Sequence, residues 1–198
     1  MDSYEKLPNK EITPSGEISK KFIELKITSF KDACDYIHSL DYGYNTNYDD
    51  EMILFKQKKG TCTSKHAIIA GLARELNIPL YKHVCVYKFT EEITTGADEI
   101  LNKYDIPYVP MVHCFLVYGQ YRFDLTEGNN NGKKKPIDEY IFSERVDPFI
   151  SGKDEYILYK RILKEYVLPS KEMEGITEKA LLKARGKSIL LLITSNKK

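Results

Sequence analysis

Residues 60–79 read GTCTSKHAIIAGLARELNIP, and residues 112–126 read VHCFLVYGQYRFDLT. The first stretch predicts a helix that Thr63 or Ser64 can cap and that closes near Asn77, ahead of Pro79. Ala67 to Ala73 carries no charge on any face, which marks a helix buried all round. The second stretch predicts two strands, Val112–Tyr118 and Tyr121–Thr126, joined by Gly119-Gln120 with glycine at the first loop position. A central helix packed on an antiparallel sheet follows, an α+β fold.

That hairpin has a definite register. A two-residue loop pairs Tyr118 with Tyr121, Leu116 with Phe123, Phe115 with Asp124 and His113 with Thr126. Side chains alternate, so His113 and Asp124 project from one face as diagonal neighbours, with roughly 7–8 Å between their backbones. A carboxylate at that spacing can orient one imidazole nitrogen and leave the other free for a thiol. Cys62 supplies the thiol. It sits at a helix start, where unpaired N–H groups and the helix dipole draw a cysteine below its free pKa of about 8.5. Cys62, His113 and Asp124 are therefore candidates for nucleophile, base and orienting acid.

These residues resemble the transglutaminase-like superfamily, in which a Gly-x-Cys helix start, a His-x-aromatic strand and an Asp-x-Thr strand assemble a Cys-His-Asp triad. The matching region runs from Lys59 to Thr126. More narrowly, Gly60, Thr61, Cys62, Lys65 and His66 are similar to a Gly-Thr-Cys-x-x-Lys-His motif of bacterial transglutaminase-like proteins. The resemblance implies a papain/transglutaminase-like core and acyl chemistry on a peptide, protein or small amide substrate, with no cofactor. Hydrolysis is favoured over amine transfer, since nothing in the sequence marks an acceptor-amine pocket. The alternatives are a binding domain that keeps the fold without turnover and an arylamine-acetyltransferase-like acyl carrier.

The chain departs from the family at three points. His-x-Trp is here His113-Cys114-Phe115, and Asp-Pro-Thr is Asp124-Leu125-Thr126. With no tryptophan in the chain, an indole cannot hold the oxyanion. The Cys62 backbone N–H remains, and Gln57, five residues earlier, is a candidate second donor because papain-like enzymes place a glutamine shortly before their cysteine. Lys65, His66 and Tyr44 are candidate substrate contacts. His66, one turn beyond Cys62, is set aside as base because no evident carboxylate orients it. Tyr42 and Tyr48 share the turn-rich loop of Tyr44 and are further candidates for a groove wall.

The remaining sequence frames this site. Its 198 residues carry 30 Lys+Arg against 29 Asp+Glu, a balance that argues against nucleic-acid and anionic-membrane partners. No apolar run is long enough to cross a bilayer, and the N-terminus lacks a secretory pattern, so a cytoplasmic location is expected. Four separated cysteines, Cys34, Cys62, Cys85 and Cys114, do not read as a disulfide framework. Cys62-x3-His66 and His83-x-Cys85 are not standard zinc spacings, so no metal is expected. Residues 1–20 read as an irregular arm and 21–198 as one domain. Within it, Ser29 caps a helix through Leu40, Leu80–Phe89 is a strand, and a short helix starts near Ala97. Gly128–Pro136 is a solvated lysine loop. A helix spans Asp154–Val167, another runs Thr177–Arg185 until Gly186 stops it, and Ser188–Thr194 forms a last strand.

Overall fold

The computed structural model describes residues 4–195. A helix that is apolar on every side needs partners on every side, and the one from Cys62 to Glu75 has them. With three short elements before it, it is α4 in a chain order of α1 (Glu17–Glu24), α2 (Phe30–Ser39), α3 (Ile53–Gln57) and α4 (Cys62–Glu75). Phe30, Ala33, Cys34 and Ile37 of α2 and Ile18 and Phe22 of α1 are buried in one cluster with Ile68, Ile69, Leu72 and Ala73 of α4. Two segments of two residues each, β1 (Asp41–Tyr42) and β2 (Lys59–Gly60), pair in parallel and bring the chain to the start of α4.

The sheet is antiparallel throughout, in the order β5-β4-β3-β6, with β3 at Leu80–Phe89, β4 at Val109–Tyr118, β5 at Tyr121–Phe123 and β6 at Phe142–Arg145. The β4–β5 turn holds Gly119 at φ +59°, a left-handed value that a side chain tolerates poorly. Among the described residues no strand pairs with β4 over Val109–Phe115 on the side away from β3, an open edge that tolerates Pro110. A second core joins Val84, Val86 and Cys114 to α5 (Ala97–Tyr104), α6 (Gly152–Ile162) and α7 (Glu178–Ser195) through Leu101, Leu158, Ile162, Leu181 and Ala184.

Four expectations change. The arm does not stop at residue 20: α1 begins at Glu17, and Leu7, Ile12, Ile18 and Phe22 are buried. Glu75, at the far end of α4, accepts from the Ile18 and Ser19 N–H groups at 3.0 and 2.7 Å and so caps α1 from a distance. The arm's first three residues lie outside the described ones. The strand expected over Tyr121–Thr126 ends at Phe123, because Asp124 turns its carboxylate onto its own backbone two residues on. The helix Asp154–Val167 is α6 followed by a π-helical turn over Leu163–Val167. Finally, Gly186 does not stop a helix, and Ser188–Thr194 is the continuation of α7 rather than a strand. Leu181, Ala184, Ser188 and Leu192 form one buried stripe at helical spacing. Its burial outweighs the roughly 1 kcal/mol that a mid-helix glycine costs against alanine. No helix among the described residues is long and apolar enough to cross a membrane.

Candidate active site

Thr61, rather than Thr63 or Ser64, is the cap residue of α4, and it makes no side-chain capping bond. Cys62 is thus the first residue of the helix proper, and among the described residues no side-chain hydrogen bond caps the opening N–H groups of α4. Gly60 suits the close approach, since a Cβ there would lie 2.5 Å from Ser64 Oγ and 2.9 Å from Leu54 Cδ1 and force these side chains to shift. The helix start meets β4 where that strand lacks a neighbour. There Cys62 shares one cavity wall with His113 and one buried cluster with Cys114, and both strand residues act on its thiol.

His113 is 2% exposed, and its Nε2–H donates to Asp124 Oδ2 at 2.6 Å. Thr126 satisfies the other carboxylate oxygen, donating to Oδ1 from its backbone N–H at 2.9 Å and from its hydroxyl at 2.6 Å. With Nε2 committed, Nδ1 is the lone-pair nitrogen of the neutral ring. Lys133 Nζ lies 3.4 Å from it. The edge of Tyr87 packs on the ring, with centroids 6.2 Å apart.

The electrostatics separate the four thiols. A hydrogen bond with Cys114 is the largest influence on Cys62 and, with His113 and Lys133, outweighs burial, so the thiol is held well below its ordinary value. Cys114 is pushed well above it by the same bond and by burial. Burial raises Cys34, and raises Cys85 to about 12. Burial and the Lys133 ammonium press His113 downward, but Asp124 and Cys62 overcome them and leave it raised. Asp124 is buried, which would raise it, yet the charge and hydrogen bond of His113 keep it far below the carboxylate range.

The motif residues expected to contact substrate face inward. Lys65 is fully buried and donates to the His38 and Leu40 carbonyls and to Asn129 Oδ1, tying the end of α2 to the loop beyond β5. His66 is fully buried and accepts from the Leu125 N–H through Nε2 at 2.8 Å. Its proton therefore sits on Nδ1, which has no partner, and burial pushes its pKa down to about 4. The 3.4 Å approach of His66 Nε2 to Asp124 Oδ1 is then a contact between two acceptors, not an ion pair. Both residues position the segment that carries Asp124. Gln57 also lies away from the thiol: it donates to Thr46 Oγ1 and accepts from Asn45 and the Thr46 N–H. It pins the tyrosine loop and offers no oxyanion donor.

A cavity of about 210 Å³ opens at Cys62 and His113. Tyr42, Tyr44 and Tyr48 line it, as does Tyr87. So do three charged residues that sequence reading passed over, Lys133, Glu155 and Arg185. Lys133 stands in a lysine run whose neighbours Lys134 and Lys135 pair with Glu91 and Glu92 at the surface. Nothing local distinguishes it. Glu155 and Arg185 lie in helices where charge ordinarily means a solvated face. Among the described residues no group of three or more His, Cys, Asp or Glu is disposed to hold a metal ion. No protein-family profile, curated protein or solved structure matches the chain.

Proposed function

We propose that the protein is a cysteine-dependent acyl-transfer enzyme of papain/transglutaminase-like core that hydrolyses amide bonds. The observation that carries this reading is the 2.6 Å His113–Asp124 hydrogen bond beside Cys62, with thiol and imidazole on the wall of one cavity at the start of a helix. The lowered thiol and the raised imidazole favour a thiolate–imidazolium pair near neutral pH.

In this mechanism the Cys62 thiolate attacks the amide carbonyl carbon. Charge developing on the oxygen meets the uncapped N–H groups at the start of α4. The C–N bond breaks as His113 gives its proton to the departing nitrogen, leaving a thioester on Cys62. His113 then takes a proton from water, whose oxygen attacks the thioester carbon. The acid leaves and the thiolate returns. Asp124 holds the ring and stabilises its positive charge throughout.

Two measurements test the reading together: mass-spectrometric mapping of iodoacetamide labelling in the native protein, and release of amine or ammonia from a panel of small amides by wild type and Cys62→Ala. The expected result is Cys62 labelling at least about tenfold faster than Cys34, Cys85 or Cys114, with amide cleavage that Cys62→Ala abolishes. Equal labelling of the four thiols overturns it. A fast Cys62 without cleavage of any amide also overturns it, in favour of a binding domain. Tight acetyl-CoA binding with acetylation of Cys62 would make it an acyl carrier.

A further inference from the structure

The wall of the cavity is not uniform. Ile150 and Leu192 make part of it apolar, and against that surface stand a carboxylate and a guanidinium, Glu155 from the first turn of α6 and Arg185 from the middle of α7. Each has an atom sealed from solvent without a hydrogen-bond partner, Oε2 of Glu155 and Nε of Arg185. Both side chains nevertheless line the cavity, so it is their charge and their other polar atoms that a ligand there meets.

They do not satisfy each other, since no ion pair joins them among the described residues. Burial raises the Glu155 carboxyl against the pull of the Lys82 and Arg185 charges, neither of which pairs with it, and Lys82 is committed to the Pro148 carbonyl at 3.1 Å. The Arg185 guanidinium carbon lies over the Tyr159 ring, 4.5 Å from its centroid, and Tyr159 in turn donates to the Pro110 carbonyl at 3.0 Å. The guanidinium is thus fixed from behind. Two opposite charges, held apart and each short of a partner, complement a ligand that carries both charges in reverse.

The geometry points to Glu155 and Arg185 as a binding site for the head group of a free α-amino acid, its ammonium on Glu155 and its carboxylate on Arg185. This rests on the hydrolytic reading above and names its substrate class: an amino acid whose side-chain amide reaches Cys62. A volume of about 210 Å³ is below the roughly 300–1,000 Å³ of pockets that enclose drug-sized ligands, which suits a single residue. A peptide-bound amide has neither charge and leaves both groups unpaired.

The test is protection of Cys62 from iodoacetamide by L-glutamine, L-asparagine, glutaramate, which lacks the ammonium, 4-aminobutanamide, which lacks the carboxylate, and N-acetylglutamine methylamide, which lacks both. One of the two amino acids should halve the labelling rate at a concentration at least about tenfold lower than any other compound, the loss expected when a buried charge goes unpaired. Equal protection by the doubly capped compound overturns the inference, and this comparison needs no variant. In Glu155→Gln the preference over glutaramate should fall towards one, and in Arg185→Gln the preference over 4-aminobutanamide should do so. Calorimetry on Cys62→Ser separates the two readings. Selective amino-acid binding there without ammonia release by wild type leaves the site standing and removes the hydrolytic reading. Cleavage of capped and free amides at equal rates does the reverse.

Discussion

Asp124 reaches His113 from one residue beyond the end of β5, Oδ2 to Nε2 at 2.6 Å, although the last pair of the ladder is Leu116 with Phe123. The carboxylate is not held by sheet pairing. It is held by Thr126 on one side and by the His66–Leu125 bond on the other. A side chain fixed by three hydrogen bonds keeps a buried imidazole in one tautomer more firmly than a strand position alone.

Asp124→Asn tests what that anchoring supplies. An amide can present its NH2 to His113 Nε2 and so stabilise the wrong tautomer, or present oxygen without the charge that stabilises imidazolium. Turnover of a cleaved amide should fall by about 10²–10⁴-fold. Thermal melting run alongside separates this from unfolding, and an unchanged kcat in a folded variant would remove Asp124 from the mechanism.

His66 gives stability a pH dependence of known sign. In the folded chain its pKa is about 4, through burial, against an ordinary 6.5. Between those values the unfolded chain takes a proton that the native one refuses, so stability falls as pH drops from 6.5 towards 4. The loss is on the order of 3 kcal/mol at about 1.4 kcal/mol per unit. His113 runs the other way: its raised pKa contributes fully below 6.5 and is lost as pH rises through the folded value. Asp124, depressed, contributes fully above the ordinary carboxylate value. Neither masks the effect of His66 in this window. Urea denaturation of wild type and His66→Gln at pH 6.5 and 4.5 should show the slope in the first and its loss in the second.

The helix at Cys62, the strand Leu80–Phe89 and the hairpin register at Leu116 and Tyr118 were legible because they depend on local period and turn chemistry. What escaped depends on distant partners. Glu75 caps α1 across more than fifty residues, and the stripe from Leu181 to Leu192 overrides a glycine only because a core awaits it. The roles of Lys65 and His66 were misread for the same reason: a polar residue on the first turns of a buried helix looks like a cleft contact until its acceptors are located. Thr126, paired with His113 in the expected register, serves instead as a donor to Asp124. Lys133, Glu155 and Arg185 carried no pattern at all, since charges in loops and amphipathic helices are mostly solvated.

Cys114 stands between His113 and Phe115 on β4, and its interaction with Cys62 is the largest influence lowering that thiol. Cys114→Ala removes a donor to the thiolate from a packed strand position with little change in volume. The midpoint of the pH profile for Cys62 alkylation should move up by about one unit, a weak S–H donor lying at the low end of bonds to charged groups. A profile that does not move would mean that the thiol owes its acidity to His113 and Lys133 alone.

Lys133 stands at His113 Nδ1, the nitrogen that must trade a proton with Cys62. Its ammonium acts on both partners in the same direction: it stabilises the thiolate and disfavours imidazolium, lowering both groups. Removing the charge therefore cannot merely weaken the site. In Lys133→Met the thiol should ionise at higher pH and the imidazolium should survive to higher pH. The acidic and alkaline limbs of the kcat/KM profile should then shift upward together. For a charge at this distance in a partly screened cleft, about half a unit to one unit is expected on each limb. Lys133→Arg should keep the wild-type limbs, since it keeps the charge. A purely structural lysine would lower activity at all pH values without moving either limb, and movement of the acidic limb alone would show that Lys133 serves the thiolate and not the imidazole.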